Sequence, residues 1–217
     1  MAELTLNPIT IVVLLISLSL APFLILLVSS FVKIVVVMNL VRNALGVQQV
    51  PPNMVLNGLA IMLSIYVMFP VVKEIGAKAD SLSFEFDSME KIKNVATELQ
   101  KPLQAFLQKH TASKNKAFFL RSAAKIWPKE DAAKLDPDSL LVLIPAFTVS
   151  ELTEAFQIGF LLYLPFIAID LIVSNILLAL GMMMVSPMTI SLPFKLMLFV
   201  IVNGWSKLIH GLVLTYR

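Results

Sequence analysis

The stretch LPFIAIDLIVSNILLALGMMMVSPMTISLPFK, residues Leu164–Lys195, gives the clearest indication of the fold of this chain. It contains an apolar run, a short segment with glycine, three adjacent methionines and proline, and the start of a second apolar run. Asp170 is its only charged residue before the final lysine. A helix of about 20 mainly apolar residues is long enough to cross the hydrocarbon core of a membrane. The stretch therefore predicts two membrane-type helices joined by a turn at Met182, Met183 and Met184.

The composition of the whole chain indicates the same class. The 217 residues are 58% hydrophobic and 14% charged, whereas soluble domains are about 45–50% apolar and about 25% charged. The net charge is only +3 and there is no dense run of Lys or Arg, so no nucleic-acid partner is predicted. The chain has no cysteine, which excludes disulfides, thiolate nucleophiles and cysteine metal sites.

The charged residues are concentrated in one region. Of the 31 charged residues, 22 lie between Lys73 and Asp138, and the remaining sequence is nearly free of charge. The predicted fold class is all-α and polytopic, with about four apolar, proline-broken segments and a small helical polar insertion. The predicted domains are an N-terminal apolar hairpin (1–72), a polar insertion (73–138) and a C-terminal apolar hairpin with the methionine-rich loop (139–217).

The insertion has helical periodicity. Asp87 and Glu90 form a capping-box-like start, and apolar residues follow at helical spacing: Met89, Ile92, Val95, Leu99, Leu103 and Phe106. A second, shorter helix is predicted to begin at Ser113 and to end at Trp127-Pro128.

Prolines and polar side chains interrupt the apolar segments. Prolines remove backbone donors, and polar groups at membrane depth are tolerated only where protein or water satisfies them. These segments favour a packed multi-subunit assembly or a pore. The alternative is a single polytopic protein with ordinary hydrogen bonds between its helices.

The positions of the basic residues predict a topology. Lys33 and Arg42 lie in the connection after the first apolar segment, and Lys195 follows the methionines. By the positive-inside rule both connections face the cytoplasm, and the insertion and both termini lie outside. The first segment lacks a basic n-region and a cleavage site, so we expect it to be retained rather than removed as a signal peptide.

The sequence predicts no catalytic site, no metal site and no cofactor. His110 and His210 have no carboxylate or second histidine at ligand spacing, and the seven glycines form no phosphate-binding loop. Placing the charged side chain of Asp170 inside a membrane costs free energy, so it should be paired, protonated or facing water or protein. An intramembrane aspartyl protease would need a second such aspartate, and the apolar segments contain none. Glu151 is interpreted as part of a capping box with Thr148 at the start of the third apolar segment.

Two longer stretches carry a family resemblance. They are SFVKIVVVMNLVRNALGVQQVPPN (Ser30–Asn53) and the region from PAFTVSELTEAFQIGF (Pro145–Phe160) through the methionines to Gly204-Trp205. Over residues 30–72 and 139–207 the chain resembles the FliP/YscR (SctR) family of core subunits of the type III secretion export apparatus. Gln48-Gln49-Val50 and Ser186 look like the injectisome branch rather than the flagellar branch.

The resemblance implies a structural rather than enzymatic role in the bacterial inner membrane. Family members form a pentamer with FliQ/YscS-like and FliR/YscT-like subunits around the channel for unfolded secreted proteins, alongside FlhB/YscU-like and FlhA/YscV-like export components. Their assembled gate lies largely above the bilayer plane and reaches the periplasmic side. The resemblance places Met182, Met183 and Met184 at the narrowest part of the channel, as a gasket; without it, adaptable core packing is the ordinary interpretation of methionines.

Alternatives from other classes remain open. A small-solute secondary transporter also uses broken helices near ionisable residues, although no internal repeat relates the two apolar halves. An intramembrane enzyme is the other alternative, but the residues that its chemistry would need are missing.

We expect an ion pair between subunits, formed by Glu151 and Lys195, with Lys33 or Arg42 as the alternative cation. The wider set of polar candidates for contacts between hairpins or subunits also includes Asp170, Asn43, Gln48, Gln49 and Asn53.

Overall fold

The computed structural model describes residues 8–47, 49–81 and 89–217, and within these ranges the chain is helical, with no β-strand. The all-α prediction is therefore confirmed. The helices are α1 Pro8–Leu27, α2 Phe31–Ala44, α3 Asn53–Ser81, α4 Met89–His110, α5 Ser113–Ile126, α6 Lys129–Ala133, α7 Leu140–Ala179, α8 Pro187–Ile201 and α9 Gly204–Leu214.

The core is built on the contact between α2 and α7, against which α3, α8 and α9 also pack. Gly159 of α7 allows this close approach, because a Cβ there would lie 2.2 Å from Cδ1 of Leu40. The fully buried apolar residues of this core include Ile34, Val37, Met38, Leu56, Ala60 and Ala155.

The charged insertion packs on the N-terminal half of α7. Leu107 of α4 joins Leu143 and Phe147 of α7 in a second buried apolar cluster, and α5 also contacts α7. Helix α3 continues past residue 73 to Ser81, so one helix crosses the predicted boundary of the insertion. The three-domain division stays a prediction.

Two helices in the described part of the chain, α3 and α7, are long and apolar enough to cross a membrane. Helices α8 and α9 are bent by 61° at their junction and form a third segment if they are counted as one broken span. The predicted number of about four segments is therefore only roughly supported. At about 1.5 Å per residue, the 40 residues of α7 extend about 60 Å, roughly twice the hydrocarbon thickness of a bilayer, so α7 cannot lie wholly within one.

The prolines interrupt the helices less than we expected. Helices α1, α7 and α8 continue through their internal prolines, which are Pro22, Pro145, Pro165 and Pro193. The breaks lie elsewhere, at the turn before Pro187 and at Asn203, whose φ of 53° places it in the left-handed region. A proline removes one backbone hydrogen bond, and packing on neighbouring helices can hold the rest of the helix together.

The predicted helices of the insertion are confirmed. Helix α4 begins at Met89, and α5 begins at Ser113 and ends one residue before Trp127. The proposed cap residue Asp87 lies outside the described residues. The capping box at Thr148 is wrong, because α7 begins eight residues earlier, after Ser139, and Thr148 lies within the helix and donates its hydroxyl to the carbonyl of Ile144 (2.9 Å).

Candidate functional site

The methionine-rich turn lies at the tip of the α7–α8 hairpin. Gly181 follows the C-terminal end of α7 and has a φ of +73°, a conformation that glycine adopts without steric cost. Pro187 begins α8, where its missing N–H needs no partner. Between them, Met182, Met183 and Met184 are 45%, 81% and 100% exposed. The three side chains therefore do not fill the core of this chain.

A buried charge cluster joins α2 to α7. The ammonium of Lys33 lies 3.0 Å from Oε1 of Glu151 and 2.7 Å from Oε2 of Glu154. Lys33 and Glu151 are fully buried, whereas Glu154 is about half exposed. Within the chain Glu151 therefore pairs with Lys33, which the sequence analysis gave as an alternative cation. The pair between Glu151 and Lys195 of different subunits stays a prediction.

The C-terminal end of the chain completes this cluster. The hydroxyl of Tyr216 donates a hydrogen bond to Glu151, and the ammonium of Lys33 lies 4.2 Å from the centroid of the Tyr216 ring. Burial and the nearby carboxylate raise the pKa of Tyr216, so its hydroxyl stays protonated and remains a donor. Sequence reasoning missed Tyr216, because 65 residues separate it from Glu151 and no local pattern connects the two.

Two aromatic residues of the insertion, Phe106 and His110, pack against Tyr216 of the same cluster. The ring of Tyr216 lies 6.2 Å from that of Phe106, nearly parallel to it, and 5.2 Å from that of His110. Burial, together with the positive charge of Lys33, lowers the pKa of His110. At neutral pH His110 is therefore neutral. The cluster thus connects α2, α4, α7 and the C-terminal end through one set of side chains.

A second ion pair holds the methionine hairpin together. The ammonium of Lys195 in α8 lies 2.6 Å from Oδ2 of Asp170 in α7 and donates a hydrogen bond to the carbonyl of Ala44 at the end of α2 (3.2 Å). The hydroxyl of Ser191 donates to the other oxygen of Asp170 (2.6 Å). Asp170 is therefore paired, one of the states expected for a carboxylate in an apolar segment.

The turn between α2 and α3 is held by Arg42. Its guanidinium donates to the carbonyl of Pro51 (3.2 Å) and to Oδ1 of Asn53 (2.5 Å), next to the cis peptide bond between Val50 and Pro51. Gln49 is exposed, and Gln48 lies outside the described residues. Their role in contacts between subunits stays a prediction.

Replacing Lys195 with methionine is expected to lower the free energy of unfolding by about 2 kcal/mol. The cost is below the 3–5 kcal/mol of a fully buried pair, because Asp170 is about one third exposed and water partly solvates it. Lys125→Met is the control, since Lys125 is exposed and forms no ion pair among the described residues. Thermal unfolding of the purified variants in detergent measures the difference, and equal stability of the two would contradict a stabilising role for the Asp170–Lys195 pair.

No group of three or more potential metal ligands exists within the described residues. The features that are present are long apolar helices, ion pairs buried between them and a charged helical insertion. Together they define a polytopic membrane protein of the all-α class.

Comparison with known proteins identifies the family. The FliP family model matches residues 14–212, and the chain therefore belongs to the FliP family. It is 52% identical over 210 residues to "Yop proteins translocation protein R" of Yersinia pestis, covering 97% of each chain. It is 47% identical over 218 residues to "Virulence protein YscR" of Salmonella typhimurium, again covering 97% of each. It is also 55% identical over 206 residues to "Pathogenicity-related ORF2" of Xanthomonas campestris pv. glycines, covering 94% of this chain and 95% of the relative. The sequence resemblance to the FliP/YscR family is confirmed.

Proposed function

We propose that this chain is a core structural subunit of the type III secretion export apparatus, of the injectisome branch. The main support is that the chain aligns along nearly its whole length, with about 50% identical residues, with proteins named for translocation or secretion. These include "Hypersensitivity response secretion protein HrcR" of Ralstonia nicotianae, 52% identical over 211 residues. Full-length similarity at this level supports a shared role rather than a shared domain.

The proposed assembly is a homo-oligomer in the bacterial inner membrane with FliQ/YscS-like and FliR/YscT-like partners. Large apolar side chains cover the outside of the helices, and they are too numerous for the surface of a soluble monomer. Examples are Tyr66 and Phe69 of α3, Phe160 of α7 and Val200 of α8. This surface supports burial against lipid or partner subunits. In the proposed orientation the insertion faces the periplasm, and the assembled gate reaches that side.

The methionine-rich turn is the proposed seal of the channel. A secretion channel must admit extended polypeptides of many sequences and must exclude ions while it is idle. Methionine is flexible and unbranched, so a ring of its side chains can close on itself and repack around different passengers. An uncharged apolar constriction also blocks ions by excluding water. The exposure of Met182, Met183 and Met184 at the hairpin tip supports this role.

Deleting the gene in its host bacterium tests the function directly. Under the proposal, secretion of type III substrates stops, and expression of the chain from a plasmid restores it. Export of proteins by the general secretory pathway serves as the control and continues unchanged. Undiminished type III secretion in the deletion strain would contradict the proposal.

A further inference from the structure

We propose that the cavity between α2, α7, α8 and α9 binds an acyl chain of an anionic phospholipid, whose phosphate is held by Lys207 at the rim. The residues that line this site do not include those of the methionine turn, the Lys33 cluster or the Asp170–Lys195 pair. The inference does not depend on the proposed secretion function.

The cavity has the size and lining of an acyl-chain site. Its volume is about 550 Å³, within the range of about 300–1,000 Å³ that is typical of small-molecule sites. Its deeper surface is formed by buried apolar side chains, and every lining side chain except those of Lys207 and Thr215 is apolar. A water molecule would find few hydrogen-bond partners there. The buried lining residues include Val41, Phe166, Leu208 and Leu212.

The one charged residue that lines the cavity is a cation at its mouth. Lys207 lies in the first turn of α9, just after the bend from α8, and its side chain is exposed. Within the described ranges no carboxylate forms an ion pair with it. A long apolar stem with a terminal ammonium can follow the wall of an apolar cavity and keep its charge at the surface. An anionic phospholipid complements both features, because its acyl chain is apolar and its phosphate is negative.

A second copy of this chain is the competing occupant, and its charges fit the site poorly. Outside 73–138 the carboxylates of the described residues are Glu151, Glu154 and Asp170, and each already pairs with Lys33 or Lys195. The apolar helices of a second copy therefore offer no free carboxylate to Lys207. This difference favours the lipid.

Gly211 provides a way to fill the cavity without disturbing the fold. It lies on the cavity wall in α9, and a Cβ built there has no atom within 4 Å. A larger side chain at this position enters open space. Gly58 of α3 also has no atom within 4 Å of a built Cβ, and it does not line the cavity, which makes it a matched control.

The experiment measures lipid retained by the full-length chain. The chain is purified in detergent, incubated with an equimolar mixture of phosphatidylglycerol and phosphatidylcholine, and analysed by native mass spectrometry. The variants are Lys207→Gln, Lys207→Arg, Gly211→Leu and Gly58→Leu, with circular dichroism as a check of helical content. Glycerol phosphate, which has the phosphate but no acyl chain, is tested in parallel.

The wild-type chain is expected to retain one phosphatidylglycerol in preference to phosphatidylcholine and to retain no glycerol phosphate. Lys207→Gln lowers the preference for phosphatidylglycerol by about fivefold, Lys207→Arg keeps it, Gly211→Leu loses the bound lipid and Gly58→Leu retains it. The proposal is overturned if Gly211→Leu keeps its helical content and retains as much lipid as the wild type. It is also overturned if Lys207→Gln prefers phosphatidylglycerol as strongly as the wild type does. Crosslinking of Gly211→Cys to a second copy of the chain in place of lipid would also overturn it.

Discussion

Replacing Lys33 with alanine is expected to lower the free energy of unfolding by about 3–5 kcal/mol, the usual cost of removing one partner from a buried ion pair. The reason is that Glu151 is fully buried and would lose its cation in an apolar environment. The variant also loses the contact between the ammonium and the Tyr216 ring, which holds the C-terminal end of the chain against α2. Thermal unfolding in detergent and the amount of folded protein in membranes measure this effect.

Two further variants separate the buried charge from side-chain removal in general. Lys78→Ala breaks the exposed pair with Glu74 in α3 and should cost no more than about 0.5 kcal/mol. The double variant Lys33→Met with Glu151→Leu removes both buried charges and should recover part of the lost stability. If Lys33→Ala is as stable as Lys78→Ala, the cluster is not a stabilising element of the fold.

Replacing Met182, Met183 and Met184 together with alanine is expected to leave the assembly intact and to raise the permeability of the membrane to ions and small dyes. Met183 and Met184 are largely exposed and Met182 is about half exposed, so shortening the three side chains should cost little stability. A channel ring with shorter side chains is wider and admits water, which removes the apolar barrier to ions. Dye uptake and membrane potential, measured without secretion substrates, report the leak.

The matched control is a chain with three other exposed methionines replaced by alanine, namely Met54, Met62 and Met197. It carries the same loss of side-chain volume on apolar helices away from the hairpin tip. We expect this control to stay as tight as the wild type. A leak of equal size in both triple variants would show that the position of the methionines has no special role.

The regular parts of this fold could be predicted from local sequence. The periodic apolar residues of α4 and the start and end of α5 are local patterns, and the structure has both helices. The exposed turn around the methionines follows from glycine and proline on either side of it. The length of α7 could not be read from its prolines, because packing along the helix outweighs the lost hydrogen bonds.

The charge pairing could not be predicted from local sequence. Lys33 and Glu151 are 118 residues apart, and Lys195 lies nearer in sequence to Glu151, so the positions of isolated charges do not show which of them pair within the chain. The packing of α2 on α7 decides it, since it places Lys33 against the N-terminal half of α7 and the end of α2 against Lys195. Tyr216 gave no local indication of its role.

If the methionine-rich turn seals the channel, secreted polypeptide must pass it, and site-specific photo-crosslinking in living bacteria detects that passage. A photoreactive amino acid is introduced at Met183, or at Met62 as the control, while a secretion substrate fused to a stably folded domain is stalled in transit. We expect a crosslink between the stalled substrate and position 183 and none between the substrate and position 62. If the stalled substrate does not crosslink to position 183, or crosslinks equally to both positions, the methionine-rich turn does not line the path of the secreted polypeptide.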